Sequence, residues 1–354
     1  MTEEATLEPN SAETIAGFAL ARRGKWRRGE IAFWGLAVLV LLALPSRNLL
    51  INEIAILALF ALSLDLVLGY AGIVSLGHAA FLGVGAYIAG LLTKHGVVDP
   101  TLGLLAGGAG AAVLGFATSF LVLRGSDLSR LMVTLGVALL LGEIANQMAS
   151  LTGGADGLQG VVPGPVLGLF AFDIFGRTAC IYSLSVLFLM FVLARRIVNS
   201  PFGLSLRSIR DNPLRAAAIG VPVSRRLVAI YTVGAAYAGI AGALLAQTTQ
   251  FVSLDVFDFG RSADVLLVLI IGGTGYLYGG LIGAAVFRVM QDGFSAITPQ
   301  HWQFWIGLVL VCLVLIGRDR LGQVTRRGLR AAAIRLGFVL DEAGIAARPT
   351  GAGS

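Results

Sequence analysis

One acidic residue stands out as a candidate for chemistry because it lies in an otherwise apolar stretch. Glu143 falls within the apolar run 131–150 and is followed by Asn146 and Gln147. A carboxylate in such a run is energetically costly, which favours a functional role if the run lies in a membrane. A structural hydrogen bond to a neighbouring helix would explain Glu143 equally well, so both interpretations stay open.

Other polar side chains interrupt the apolar segments singly. His78 lies among glycine and alanine neighbours, where its ring has room to bond a facing carbonyl, and packing is favoured over contact with a solute. Asp65 and Asp264 lie near the ends of apolar segments and are interpreted as reaching a headgroup region. Cys180 and Cys312 both lie inside apolar segments, so neither a disulfide nor a metal site is expected.

Several enzyme classes are excluded by what the sequence lacks. The glycine-rich run 272–280 has no Gly-Lys-Ser/Thr, so ATP binding by a phosphate loop is not expected. The chain has no His-Glu-x-x-His motif and no Ser–His or paired-aspartate arrangement typical of an intramembrane protease. The sequence therefore predicts none of these activities, and neither a cofactor nor a metal is expected.

Composition places the chain in a lipid bilayer. Of 354 residues, 56% are hydrophobic and 13% charged, and the mean hydropathy is +0.85. A soluble domain carries about 25% charged residues because its surface faces water. The net charge of +6 comes largely from arginines beside apolar segments, which indicates membrane topology rather than nucleic-acid binding.

The apolar segments predict an all-α, polytopic transmembrane bundle of about ten spans (about eight to ten). We place the spans at 31–45, 49–69, 73–93, 101–123, 131–150, 178–194, 227–247, 262–274, 277–294 and 302–316. Segment 195–226 holds seven arginines and one acid, so it is predicted to be cytoplasmic. Both termini are then cytoplasmic: a tail over 1–30, a transmembrane domain over 31–316 and a basic tail over 317–354.

Small residues form stripes on several predicted helices. They recur every three or four residues and so share one helix face: Gly72, Ser75, Ala79, Gly83, Ala86 and Gly90 in the third span, Gly103, Gly107, Ala111 and Gly115 in the fourth, and Ala235, Ala238, Gly242 and Ala246 in the seventh. Such faces let helix backbones approach closely in lipid. Helix packing is sufficient to explain them.

The arginine-rich segment contains a predicted short helix. Asn212 is predicted to cap it, Pro213 takes the first helical position, and Gly220 ends it. Arg207, Arg210 and Arg215 interrupt its apolar residues. Two interpretations stay open on physical grounds: a knob that fits a groove in a partner protein, or an interfacial helix lying on anionic lipid.

Ordered motifs give the chain a resemblance to a known family. They are Gly69-Tyr-Ala-Gly-Ile-Val-Ser-Leu-Gly-His78, Met132-Val-Thr-Leu with Gly142-Glu143-Ile, Thr152-Gly-Gly-Ala-Asp-Gly157, Arg207-Ser-Ile-Arg-Asp-Asn-Pro213, Ala235-Ala-Tyr-Ala-Gly239 and Gly272-Gly-Thr-Gly-Tyr-Leu-Tyr-Gly-Gly280. In this order, over about 55 to 316, they resemble the permeases of ABC importers for branched-chain amino acids (LivM type). The chain has Leu214 and Arg215 where many importer coupling loops carry a glutamate.

The resemblance implies a role for each matching group of residues. ATPase coupling within loop 195–226 falls to Arg207, Ser208, Ile209, Arg210, Asp211, Asn212, Ala216, Ala217 and Gly220. The translocation path, or helix packing beside it, falls to Gly72, Ser75, Gly77, His78, Gly83, Thr134, Glu143 and Asn146. Docking of a substrate-binding protein falls to Thr152, Gly153 and Gly154, although a plain turn explains them equally well.

The resemblance also implies an assembly and a location. The partners would be a second homologous permease, two cytoplasmic ATP-binding subunits and a periplasmic substrate-binding protein, in a bacterial inner membrane. Leucine, isoleucine, valine or related apolar amino acids are the expected solutes, and urea or short amides are an alternative. A stand-alone secondary transporter or channel is the competing class. The glycine-rich blocks 69–90 and 272–283 are hypothesised to be counterparts in an inverted repeat.

Overall fold

The chain is helical throughout the part that the structure describes. The computed structural model describes residues 28–43, 47–166, 168–173 and 175–316, where two isolated β-bridges accompany the helices. The all-α prediction is confirmed. Residues 1–27 of the predicted N-terminal tail and the whole predicted tail 317–354 lie outside the described residues.

Thirteen α-helices follow one another in these ranges, besides short 3-10 and π turns. They are α1 (Arg28–Ala43), α2 (Asn48–Leu64), α3 (Ala79–Lys94), α4 (Pro100–Val122), α5 (Asp127–Gln147), α6 (Ala149–Thr152), α7 (Arg177–Asn199), α8 (Pro201–Asp211), α9 (Pro213–Ala218), α10 (Val223–Thr249), α11 (Phe259–Gly272), α12 (Leu277–Ile297) and α13 (Trp302–Ile316).

Several of these helices can cross a membrane by length and composition. Five qualify within the described residues: α2 with its extension to Gly69, α4, α5, α7 and α10. The bent pair α11–α12 would add a sixth, and α3 and part of α1 are shorter apolar helices. The chain is thus a multi-pass membrane protein, whereas about ten spans and cytoplasmic termini stay predictions.

Local sequence signals explain where the long helices begin. Asp99 caps α4: its carboxylate accepts a hydrogen bond from the Thr101 backbone N–H at 2.9 Å, and Pro100 follows it. The Thr101 hydroxyl donates to the same carboxylate oxygen at 2.7 Å, and this bond, with the one from the backbone N–H, holds the pKa of the exposed Asp99 carboxyl below its usual value. Ser126 and Ser200 cap α5 and α8 in the same way.

Helix α10 forms the packing centre and lies against α2, α3 and α4. The predicted small-residue faces are what bring these helices together. A Cβ atom on Gly242 of α10 would overlap the backbone carbonyl of Leu82 in α3, and one on Gly107 of α4 would lie 2.8 Å from the Gly85 carbonyl oxygen. The helices therefore meet backbone to backbone, as small residues permit in a membrane protein.

Two breaks interrupt the bundle. Helix α2 ends in a π-turn at Asp65–Gly69, and the chain from 72 to 77 is non-helical until α3 begins at Ala79. The predicted span 73–93 is therefore wrong over 73–78, because Gly72 with φ of +74° ends the preceding helix and the Leu76 N–H donates to the hydroxyl of Thr134. The second break, at 273–276, bends α11 against α12 by 112° and falls where the sequence predicts it.

The helix ends gather into two groups. At one end the 69–78 and 273–276 breaks lie with the arginine-rich α8, as the contacts below describe. At the opposite end, the backbones of Leu158 and Val252 pair at 2.8 Å, and Gly164 N–H donates to the Val98 carbonyl at 2.8 Å. We call these groups the arginine-rich end and the opposite end.

The chain separates into two compact units, 1–288 and 289–354. The features above belong to the first. In the described part of the second, a turn joins the last residues of α12 to α13, with the Thr298 N–H donating to the Phe294 carbonyl at 2.8 Å. Phe304 and Trp305 pack edge to face on α13, with ring centroids 5.5 Å apart.

The close approach of α10 to α3 yields a stability test. Gly242→Ala should lower the free energy of unfolding by about 1–3 kcal/mol, because the new methyl group must push the Leu82 backbone away. Gly136→Ala in α5 is the matched control, since a Cβ there has no atom within 4 Å. Thermal unfolding in detergent should show a lower midpoint for the first variant alone. Equal midpoints would contradict the packing.

Candidate functional site

The candidate site lies where α8 meets the two breaks. The Ser200 hydroxyl caps α8, and Pro201 takes its first position. A Cβ on Gly203 would overlap the Val198 carbonyl, so this glycine permits the tight corner between α7 and α8. Leu206 and Ile209, 0% and 3% exposed, fix the inner face of α8 against the bundle.

Arg210 connects α8 to the first break. Its Nη1 donates to the carbonyl oxygen of Gly69, the last residue of the π-turn, at 2.6 Å. Its Nε and Nη2 donate to Asp211 at 3.3 and 3.2 Å. Gly72, with φ of +74°, leaves space for the arginine stem, since a Cβ there would lie 3.0 Å from the Arg210 Cγ. Arg210 thus binds a backbone carbonyl that α2 itself leaves free at its interrupted end.

Asp65 connects the first break to the second. Its Oδ1 accepts a hydrogen bond from the Gly275 backbone N–H at 2.7 Å, and the residue is 0% exposed. The interpretation that Asp65 reaches the headgroup region is therefore wrong. A Cβ on Gly275 would lie 3.0 Å from the Arg210 Nη1, so the three elements meet closely. We call Asp65, Gly69, Arg210 and Gly275 the junction.

A second arginine of α8 packs beside the junction. The Arg207 guanidinium lies over the Tyr70 ring, 5.3 Å from its centroid, in cation–π geometry. Burial raises the pKa of the Tyr70 phenol, and the nearby Asp65 carboxylate adds to this, so the phenol stays neutral. Ser208, on the same helix, donates to the Ser205 carbonyl at 2.8 Å.

Helix α9 follows as the sequence predicts. Asn212 caps it by accepting from the Arg215 N–H at 2.9 Å, Pro213 is its first residue, and Gly220 beyond its end has φ of +86°. Ala216 is buried, while Ala217 is exposed. Leu214 and Ile219 are 82% and 72% exposed, so α9 presents two large apolar side chains at the arginine-rich end.

The non-helical 72–77 segment holds further predicted site residues. The Leu76 N–H donates to the Thr134 hydroxyl of α5 at 3.2 Å, and the Ala79 N–H to the Ser262 hydroxyl of α11 at 3.0 Å. Gly77 lies against the Thr134 carbonyl, where a Cβ would overlap it. Ser75 is buried, and its hydroxyl has no hydrogen-bond partner among the described residues.

His78 is enclosed by the bundle. Its Nε2 lies 2.9 Å from the Ser63 hydroxyl, which itself donates to the Phe60 carbonyl at 2.6 Å. Since that hydroxyl has one hydrogen, the Nε2–H is the donor to Ser63. Phe60 stacks on the imidazole and Phe81 meets it edge-on. This geometry favours the packing interpretation.

The remaining predicted residues lie towards the opposite end. Glu143 is exposed and accepts from the Gln147 side chain at 2.9 Å, and Asn146 is exposed beside it. Thr152 is buried, and its hydroxyl donates to the Ala145 and Met148 carbonyls at 2.5 and 2.9 Å. Gly153 and Gly154 have φ of +83° and +57° and form the turn after it.

An aromatic contact near these residues escaped the sequence analysis. Phe257, in a 3-10 turn at Leu254–Phe257, stacks on Tyr87 of α3 with centroids 5.6 Å apart. Gly83 leaves room for the Phe257 ring, since a Cβ there would overlap it. The two residues are far apart in the sequence, so the contact is hard to predict. The small-residue stripe around Gly83 was the one signal, because such a stripe leaves room for an aromatic ring.

Two ion pairs were also missed. Arg195 of α7 donates to Glu30 of α1 at 2.9 Å, and Arg288 of α12 binds Glu53 of α2 through Nε at 2.7 Å and also through Nη2. No group of histidine, cysteine and acidic residues in the described ranges could hold a metal ion. The site thus combines contacts between charged side chains with two interrupted helices. Both features suit a movement of helices relative to one another.

Comparisons with known proteins found similar sequences. A family model described as "Branched-chain amino acid transport system / permease component" matches residues 48–316. The LivM permease of Escherichia coli K12 is 26% identical over 298 residues, covering 77% of this chain and 69% of LivM. The fructose import permease FrcC of Rhizobium meliloti is 27% identical over 281 residues, covering 77% of each chain.

A second branched-chain amino acid permease is also similar. LivH of Escherichia coli K12 is 24% identical over 273 residues, covering 73% of this chain and 88% of LivH. No solved structure matches. Because the family model runs from the first residue of α2 to the last residue of α13, the chain belongs to the family of permease components of branched-chain amino acid transport systems.

Proposed function

We propose that this chain is one permease subunit of an ABC importer that moves branched-chain or related apolar amino acids across a bacterial inner membrane. A second homologous permease, two ATP-binding subunits and a periplasmic binding protein would complete the assembly. The junction is the observation that carries the proposal, because it connects a surface helix to both breaks of the bundle.

The first step of the proposed coupling is docking at α8–α9. Leu214 and Ile219 are exposed at the two ends of α9. Arg215 lies on this helix, and Arg207 and Arg210 lie on α8 just before it. Exposed apolar side chains on a rigid helix suit a groove in another protein, where they would leave water. We propose that this groove belongs to an ATP-binding subunit on the cytoplasmic side.

The second step is transmission to the bundle. A shift of α8 would move the Arg210 guanidinium, which holds the Gly69 carbonyl. Since Asp65 in the same π-turn holds the Gly275 N–H, the shift would reach both breaks together. Interrupted helices with alternative hydrogen bonds are two-state elements suited to alternating access.

The opposite end would receive the binding protein. Gly153 and Gly154 form a turn there, and Glu143 and Asn146 are exposed nearby. The buried hydroxyl of Thr152 would hold this turn rather than touch the partner. The path itself is proposed to run along the 72–77 segment, where Ser75 and Gly77 lie.

A sugar is the second candidate solute, since FrcC is about as similar to this chain as LivM. Urea and short amides are a further alternative. Uptake of radiolabelled leucine, fructose and urea by cells carrying the complete transporter, compared with a deletion strain, separates them. We expect leucine uptake alone to depend on the chain. Dependence of fructose or urea uptake instead would reassign the substrate.

Loss of the Arg210 contact should uncouple transport. Arg210→Gln removes a charge-assisted hydrogen bond to the Gly69 carbonyl, which contributes about 1.5–3 kcal/mol. ATP-driven leucine uptake in proteoliposomes should fall about tenfold or more, while the ATP-binding subunits still copurify. Arg225→Gln, at an exposed arginine near the start of α10, is the matched control and should retain more uptake. Unchanged uptake in the Arg210 variant would remove the coupling role.

The close contact at Gly275 provides an independent test. Gly275→Ala should strain a backbone with φ of +75° and also press a methyl group on Arg210. Gly160→Ala has a similar φ of +79° but open space around its Cβ, so it reports the strain alone.

The measurement for this pair is tryptic cleavage at the arginines of α8. We expect faster cleavage for Gly275→Ala than for Gly160→Ala, because only the former displaces Arg210. Uptake should fall in parallel with the cleavage rate. Equal cleavage rates in the two variants would show that α8 does not depend on the junction.

A further inference from the structure

A cluster of charged side chains lies inside the membrane-spanning region, away from the junction. Glu53 belongs to α2 and Arg288 to α12, and they form an ion pair. Asp264 belongs to α11, which packs against α2, and Arg288 and Arg261 are the cations near its carboxyl. Three helices thus contribute two acids and two arginines to one region.

Both acids lie inside their helices rather than at the ends. Glu53 is five residues from the start of α2 and Asp264 five residues from the start of α11. At 1.5 Å per residue, each lies about 8 Å along its own helix from the first residue. Charged side chains within the helices of a membrane protein are costly and mark routes for solutes or ions.

The close approach of α12 to α2 elsewhere involves no charge. A Cβ on Gly280 of α12 would lie 3.3 Å from Ala61 of α2. Ala284 and Phe287, further along α12, are 0% and 2% exposed. Apolar residues at 53 and 288 would avoid the cost of moving two charges out of water.

The pair is open to its surroundings. The side chains of Glu53 and Arg288 remain 45% and 29% exposed, whereas those of the other interhelix pair, Arg195 and Glu30, are 10% and 19% exposed. A solute can therefore approach Glu53 and Arg288. Acids and an arginine side by side match a molecule that carries both charges rather than a simple ion.

We propose that Glu53, Asp264 and Arg288 form a binding site for the zwitterionic head of an amino acid within the permease. Arg288 pairs with the carboxylate, which a guanidinium recognises with parallel hydrogen bonds. The carboxylates of Glu53 and Asp264 pair with the ammonium. The proposal rests on the proposed function, and it places a charge-selective step in this chain besides the choice made by the binding protein.

The test uses the complete transporter in proteoliposomes, with a binding protein loaded with radiolabelled leucine. Leucine uptake and stimulation of ATP hydrolysis by the binding protein are measured for Glu53→Gln, Asp264→Asn and Arg288→Gln. We expect uptake to fall about tenfold in each, as for loss of one charge-assisted contact. ATPase stimulation should stay within about twofold of wild type because the junction is intact.

Asp264→Asn is the decisive variant, because it leaves the Glu53–Arg288 pair in place. A purely structural ion pair predicts normal uptake in this variant. The double variant Glu53→Arg with Arg288→Glu keeps an ion pair between α2 and α12 but exchanges the positions of its two charges. The amino-acid head would then meet the wrong charge at each position, so uptake should stay low. Glu30→Gln breaks the enclosed pair and is the control, with uptake expected near wild type.

Three outcomes overturn the site. They are normal uptake in Asp264→Asn, recovery of uptake in the double variant, and loss of the second permease on purification, which would make the cluster a subunit contact. A wild-type complex that shows no ATP-driven uptake would instead contradict the proposed function itself. The two failures are therefore distinguishable.

Discussion

Every interruption of a helix in this bundle must find partners for the backbone groups that the interruption releases. Lipid supplies no hydrogen bonds, so an unpaired N–H or carbonyl there costs several kcal/mol. The chain meets this constraint with side chains from other helices. Thr134 and Ser262 accept from the 72–79 backbone, Arg210 donates to Gly69, and Asp65 accepts from Gly275. These contacts determine where α2, α3, α5, α8 and α11 lie relative to one another.

The same constraint separates rigid from movable parts. Helices α10, α3 and α4 meet through glycine and alanine, and atoms in such contacts have no room to shift individually. The breaks are held instead by single hydrogen bonds, which can exchange for others at little net cost. Movement is therefore expected to concentrate at 69–78 and 273–276 while the α3–α4–α10 group moves as one body.

Local signals were enough to predict much of this architecture. Composition predicts membrane helices, the small-residue stripes predict which faces meet, and Asn212-Pro213 predicts the start of α9. The start of α3 was not predictable, because Gly72 to His78 is as apolar as a span and the hydroxyls that bind its backbone, those of Thr134 and Ser262, lie far along the chain. Asp65 was misread for the same reason: its partner, the Gly275 N–H, lies 210 residues away.

Functional residues were harder to predict than the fold. The sequence pointed to Glu143 because it is isolated in an apolar run, yet the structure leaves it exposed, with Gln147 donating to it from one turn further along α5. The contact between Glu53 and Arg288 was not predictable, because the two residues are 235 positions apart and neither belongs to a motif. An isolated charge is visible in a sequence, whereas a charge cluster exists only after folding.

The junction and the proposed zwitterion site share their supporting helices. Helix α2 with its π-turn carries Asp65 at one end and Glu53 nearer the other, twelve residues apart, or about 18 Å along the helix. The break at 273–276 lies between Asp264 on α11 and Arg288 on α12. A change in the 112° bend would therefore alter the separation of these two side chains. Because Asp65 binds Gly275 within that break, a displacement of Arg210 would reach the proposed site through the bend, without any direct contact between the two.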